Sequence, residues 1–159
     1  MDDVAIARAV HVLAVVLWIG GVGMVTTVVL PAAVRRGSTA ARLAFFDAIE
    51  RRFAWQARIS VLLAGASGLY MVARLDLWSS FLSADYWWLD AMVAVWTIFA
   101  LMLFVAEPLF LERWLRARAL RAPGPTFALI RGLHWLLLIL SLITVFGAVA
   151  GSHGVSFFG

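Results

Sequence analysis

Four side chains able to ligate a metal are spread one to each apolar segment of the chain: His11, Met71, Met92 and His153. Read as helices, the segments put all four near the same membrane surface. Two chemistries use such a set. A haem b between helices takes one axial imidazole from His11 and a second ligand from His153 or, in reserve, Met92. A Cu(I) ion takes thioether and imidazole donors together and recruits Met71 as well. Arg8, one turn outside His11, and Arg74 are spaced to pair with haem propionates. Asp85 and Asp90 are their ordinary alternatives, as ion pairs at the membrane boundary. An ionisable residue inside a membrane span is costly and by default marks function, so what His11 binds is the central question.

Each of these residues also has a plainer reading. His11 can hydrogen-bond across helices, His153 can be a solvated tail residue, and methionines fill cores more often than they ligate. His134, beside Trp135, lies about 28 Å along a helix from His153 and cannot share a ligand with it. Glu107 is most simply an ion-pair partner of Arg58 or Arg131, and it is also placed to relay protons or meet a quinone headgroup.

The elements that must position these groups are helical. The chain is 64% hydrophobic with a mean hydropathy of +0.97, well above the roughly 45–50% apolar share of soluble domains. Four runs can cross a hydrocarbon core about 30 Å thick: residues 4–30, closed by Pro31, then 53–73, 86–111, and 126–151 after the turn-forming 122–125. The uncharged part of the second run is short, so that helix starts before Ile59 with Arg58 snorkelling. No strand-period alternation occurs. The expectation is one all-α domain over residues 1–159, an integral membrane four-helix bundle. The first run is too long for a signal-peptide core and lacks a basic lead, and reads as a mature helix.

His11 shares its helix face with Ala14, Trp18, Gly21 and Val25. Small residues cluster on helix 1 (Gly20, Gly21, Gly23), helix 2 (Ala64, Gly65, Ser67, Gly68) and helix 4 (Gly147, Gly151). They serve packing inside the bundle, a homo-oligomer contact, or room for a flat cofactor. Residues 39–53 carry apolar groups at helical spacing (Leu43, Phe46, Ile49, Phe53) and read as a short cytoplasmic interfacial helix. Trp78, Phe81, Tyr86, Trp87 and Trp88 read as an aromatic belt.

Charge orients the bundle. All 13 basic residues are arginine. Eleven fall in or beside the connections between helices 1 and 2 and between helices 3 and 4, whereas Arg8 and Arg74 lie at the other end with Asp2, Asp3, Asp76, Asp85 and Asp90. This positive-inside asymmetry puts both termini at the exterior or periplasmic face of a bacterial-type inner membrane, with the arginines attracted to anionic lipid. No basic groove interleaved with aromatics exists, so nucleic acid is not an expected partner.

Much chemistry is excluded. With no cysteine and no lysine, disulfides, thiolate sites, cysteine nucleophiles and Schiff bases are absent. Ser60, Ser67, Ser141 and Thr144 are readily satisfied by helix carbonyls, and no phosphate-binding or H-E-x-x-H motif occurs.

The opening helix, RAVHVLAVVLWIGGVG at residues 8–23, resembles the H-x6-W-x-G-G helix of the copper-resistance protein D (CopD-like) membrane family. It is also similar to the first helix of HemJ-type protoporphyrinogen oxidases. The likeness extends loosely over all four helices, through ERRF before helix 2, SGLYM at 67–71 and WWLDAM at 87–92. It implies a four-helix membrane domain and, from the HemJ-type side, a bound haem b with His11 matching the first-helix histidine. Where HemJ-type proteins carry a lysine early in helix 3, this chain has Met92. The expected role is one-electron transfer through haem b, linked to quinone or to a periplasmic redox partner. The rivals are copper handling by the same residues, with a periplasmic copper partner, and a structural or accessory subunit.

Overall fold

The computed structural model describes residues 2–155 and is all-helical over them, without strands. Residues 1 and 156–159, and the side chain of Asp2 counted above among the outer acids, lie outside what is described. Four helices are long and apolar enough to cross a membrane: α1 (Asp3–Val34), α2 (Thr39–Arg74), α3 (Ala84–Arg121) and α4 (Pro123–Ser152). They pack as two hairpins, α1 on α2 and α3 on α4, with thinner contact between the hairpins. The main core joins both. Ala14, Trp18 and Val22 of α1, Ala57, Val61 and Ala64 of α2, Phe99 and Leu103 of α3, and Leu138 of α4 are all buried in it.

The helices run past the expected boundaries, for local reasons. Pro31 does not close α1. Val25–Val29 form a π turn in which the Leu30 N–H bonds to the Val25 carbonyl five residues back. That widened turn accommodates the proline ring, which in a regular helix clashes with the preceding turn. The helix therefore continues to Val34. Residues 39–53 are likewise not a separate interfacial helix. They form the first turns of a single 36-residue α2, capped by the Ser38 hydroxyl, which accepts the Ala41 N–H. Nothing between Ser38 and Ala64 is a helix breaker, and Phe46 is buried against Val25, Val29, Leu30 and Ile130. At 1.5 Å per residue α2 is about 54 Å long, so its polar first third extends past the apolar stretch that fits a bilayer core. Residues 123–125 are not a turn either, since Pro123 opens α4 at a position where a missing N–H costs nothing.

The second π run, Met102–Leu111, contains Pro108. In a five-residue register the Leu103 carbonyl would be served by residue 108, which has no N–H. Arg58 supplies the missing donor: its Nε donates to the Leu103 carbonyl at 3.3 Å and its Nη2 donates to Glu107 Oε1 at 2.9 Å. Arg58 therefore points across to α3 and does not snorkel along its own helix. The Glu107 ion pair expected from the sequence is present.

In the connection from α2 to α3, Leu82 adopts a left-handed backbone (φ 62°) and is 95% exposed, with its N–H donating to the Asp90 carboxylate at 3.0 Å. An L residue in that region costs about 1–2 kcal/mol, which glycine avoids. Leu82→Gly is expected to stabilise the protein by roughly 0.5–1 kcal/mol, read as a higher midpoint of thermal unfolding in detergent. An unchanged or lower midpoint counts against the assigned strain.

Candidate functional site

Four of the glycines on α1, α2 and α4 are packed against rings of a neighbouring helix. A Cβ on Gly21 would run into the Phe53 ring, and one on Gly65 would lie 2.6 Å from Trp96 Cζ2. One on Gly147 would meet the Trp87 indole at 2.5 Å, and one on Gly151 would strike Trp88 Nε1. The Trp96 ring is fixed in its notch because its Nε1 donates to the Val61 carbonyl at 2.8 Å. At these four positions the glycines receive a ring from a neighbouring helix, three of them indoles, which is packing inside the bundle. Trp87 and Trp88, expected in the aromatic belt, are instead half-buried between α3 and α4, whereas Trp78 and Tyr86 are exposed.

His11 occupies the remaining notch. A Cβ on Gly68 would lie 3.2 Å from its Cε1, so glycine lets the imidazole lie close against α2. Its Nδ1 is 2.9 Å from the Ala64 carbonyl and 3.2 Å from Ser67 Oγ. A carbonyl has no proton to give, so Nδ1 is the donor. The Ser67 hydroxyl already donates to the Leu63 carbonyl, so its oxygen also receives Nδ1–H. This fixes the neutral tautomer and leaves Nε2 with the free lone pair. The same arrangement recurs at the other two histidines. His134 Nδ1 donates to the Ile130 carbonyl at 2.9 Å, and His153 Nδ1 donates to the Val149 carbonyl at 2.8 Å.

Register sets the heights of the candidate ligands. Gly23 of α1 faces Leu138 of α4. From that level His11 lies 12 residues and His153 lies 15 residues toward the end that carries both termini, or about 18 and 22 Å. The two histidines are thus at similar depth. No hydrogen bond joins them among the described residues: those of His11 go to α2, while those of His153 go to its own C-terminal turn, where it is exposed. Met71 stands one turn beyond Ser67 on the same α2 face, and Met92 is half-buried near the start of α3. Arg8 is exposed. Arg74 pairs with Asp3 at 2.9 Å and does not meet Asp85 or Asp90. Tyr70 Oη also donates to Asp3, at 2.8 Å. That cluster ties the start of α1 to the end of α2.

Two further groups bear on the site. Trp18 is 4% exposed, stands edge-on to Phe99 at 4.8 Å, and its Nε1 has no acceptor among the described residues. Glu50, the first residue of the ERRF stretch, borders a cavity of about 400 Å³ between α2, α3 and α4. The seven-residue step from His11, through Ala14, signals Trp18; nothing in the sequence signals the cavity.

The donor chemistry fits one half of an iron site: an imidazole whose Nδ1–H is held by a backbone carbonyl and whose Nε2 is the base is the arrangement metal-ligating histidines adopt. No family model, curated protein or solved structure matches the chain.

Proposed function

We propose that this chain is a multi-pass protein of a bacterial-type inner membrane that binds haem b through His11 and carries single electrons. The observation behind the reading is the Nδ1–H···O=C hydrogen bond from His11 to Ala64. It sets the tautomer, aims the ring and leaves Nε2 basic, at the depth where His153 offers a second Nε2 of the same kind. Haem b when bound supplies a reversible one-electron couple. The chain's own part is to hold and orient the imidazole and to keep water from it with the apolar faces of α1 and α2. Met92 is the reserve ligand, and Arg8 is the cation left to meet a propionate, since Arg74 is engaged by Asp3. The arginine asymmetry supports an orientation with both termini on the periplasmic side, facing a periplasmic redox partner or quinone.

A second reading has its own support. Because the His11 ring fills the Gly68 notch and bonds to α2, it also clamps α1 to α2, as a structural or accessory subunit would require. Copper handling by His11, Met71, Met92 and His153 is the third outcome of one experiment. Protein purified in a mild detergent is examined by optical spectroscopy in oxidised and reduced forms, with metal analysis. The proposal expects a Soret band and a reducible α band, both lost in His11→Ala while the protein remains folded. A colourless protein retaining copper in stoichiometric amount supports the copper reading. A colourless, metal-free protein in which His11→Ala only lowers thermal stability supports the structural one.

A further inference from the structure

The cavity at the arginine-rich end is independent of the haem proposal and of the residues that carry it. About 400 Å³ falls within the roughly 300–1,000 Å³ of small-molecule sites. Its walls combine an apolar lining, including Leu43, Phe46 and Phe127, with the carboxylates of Asp47, Glu50, Glu107 and Glu112. Three of these carboxylates have cations: Arg58 holds Glu107, and Arg116 holds Asp47 and lies 3.6 Å from Glu112. Glu50 has none, and no hydrogen-bond donor reaches it among the described residues. Arg51, the one other cation on the wall, directs its Nε to the Asp47 carbonyl of its own helix. From α4 the wall receives only Phe127 and Ile130. The lining therefore carries four acids against two arginines, with Arg58 behind Glu107. The place left for a positive charge is beside Glu50.

We infer that this cavity is a binding site for small organic cations with an apolar body, the cation set against Glu50 and the body against Phe46, Phe127 and Leu43. A half-buried carboxylate beside an apolar lining gains most from an ion that brings little hydration of its own, and a bulky ammonium or phosphonium meets that need better than a metal ion. No group of three His, Cys, Asp or Glu side chains suited to a metal occurs among the described residues.

Glu50 lies in the polar first third of α2, outside the apolar crossing segment. Burial, and then the charges of Glu107, Asp47 and Glu112, push its carboxyl up to about 7. Cation affinity should therefore rise as pH rises through that value. With one titrating group, affinity at about pH 8 exceeds that at about pH 6 by ~tenfold.

The test uses tetraphenylphosphonium and tetraphenylborate, ions of matching shape and opposite charge, in equilibrium dialysis against the full-length protein in a neutral detergent, with protein-free micelles as the blank. The proposal expects saturable, one-to-one uptake of the phosphonium and not of the borate, the stated pH dependence, and loss of both in Glu50→Gln. Should that variant fail to fold, Leu43→Trp fills the cavity without touching a charge and must weaken phosphonium binding by about tenfold or more. Equal uptake of the two ions, or phosphonium binding that persists unchanged in a folded Glu50→Gln or Leu43→Trp protein, overturns it.

Discussion

Arg58→Met is expected to lower the stability of the bundle by about 2–3 kcal/mol. Two acceptors lose their donor at once. Glu107 becomes a carboxylate with no cation, and the Leu103 carbonyl, which the π register and Pro108 have already deprived of a backbone N–H, becomes an orphan in an apolar setting. Removing one partner from a fully buried pair costs ~3–5 kcal/mol. The expected value is lower because the two side chains keep 30% and 26% exposure. Glu107→Gln is expected to cost about 1 kcal/mol, since Arg58 retains the Leu103 carbonyl and an amide oxygen. In the double variant, part of the Arg58→Met loss returns because no bare carboxylate remains. Unfolding in a mixed-micelle titration with sodium dodecyl sulfate measures all three. Equal losses in the two single variants would show that Arg58 acts only through Glu107 and that the carbonyl contributes nothing.

Gly65→Ala is expected to cost about 2–4 kcal/mol, combining overpacking with the weakening of one hydrogen bond. The added methyl would lie 2.6–2.7 Å from three atoms of the Trp96 indole. That ring has no easy retreat, because withdrawing it breaks the bond from its Nε1 to the Val61 carbonyl. Gly20→Ala is the matched control. Its Cβ would meet nothing within 4 Å, so only helix propensity acts, and a gain of roughly 0.5–1 kcal/mol is expected. The same micelle titration on both variants separates a requirement for a close approach from a general intolerance of alanine at helix glycines. Similar effects in the two would remove the notch from the account.

Which parts of this architecture could be read in the sequence follows from where the information is carried. Four crossing helices were legible because about 20 apolar residues in a row have few other uses. The ion pair of Arg58 and Glu107 was legible as one of two pairings because both charges sit at the same end of adjacent spans. Helix ends were not. Hydropathy marks what a bilayer tolerates, whereas Phe46 and the residues around it stay helical through ordinary packing after the apolar run is over. Pro31 looked like a stop because the π turn ahead of it exists only in three dimensions. For His11, its depth and its glycine-bearing face were apparent. Its partner was not, since a backbone carbonyl such as that of Ala64 has no signature in the residue type. Glycines and tryptophans were each visible, but as separate features, a packing stripe and an interfacial belt. The pairing of Gly147 with Trp87 and of Gly151 with Trp88 depends on how α3 lies against α4. The cavity beside Glu50 has contributions from three helices distant in sequence, and no local pattern encodes it.

The division into two hairpins has a consequence for biogenesis. The Asp3–Arg74 tie, the His11 bond to Ala64 and much of the α1–α2 interface need nothing from α3 or α4. The leading half can therefore settle in the bilayer as a finished unit while the trailing half is still on the ribosome, and the later pair joins it along the thinner seam.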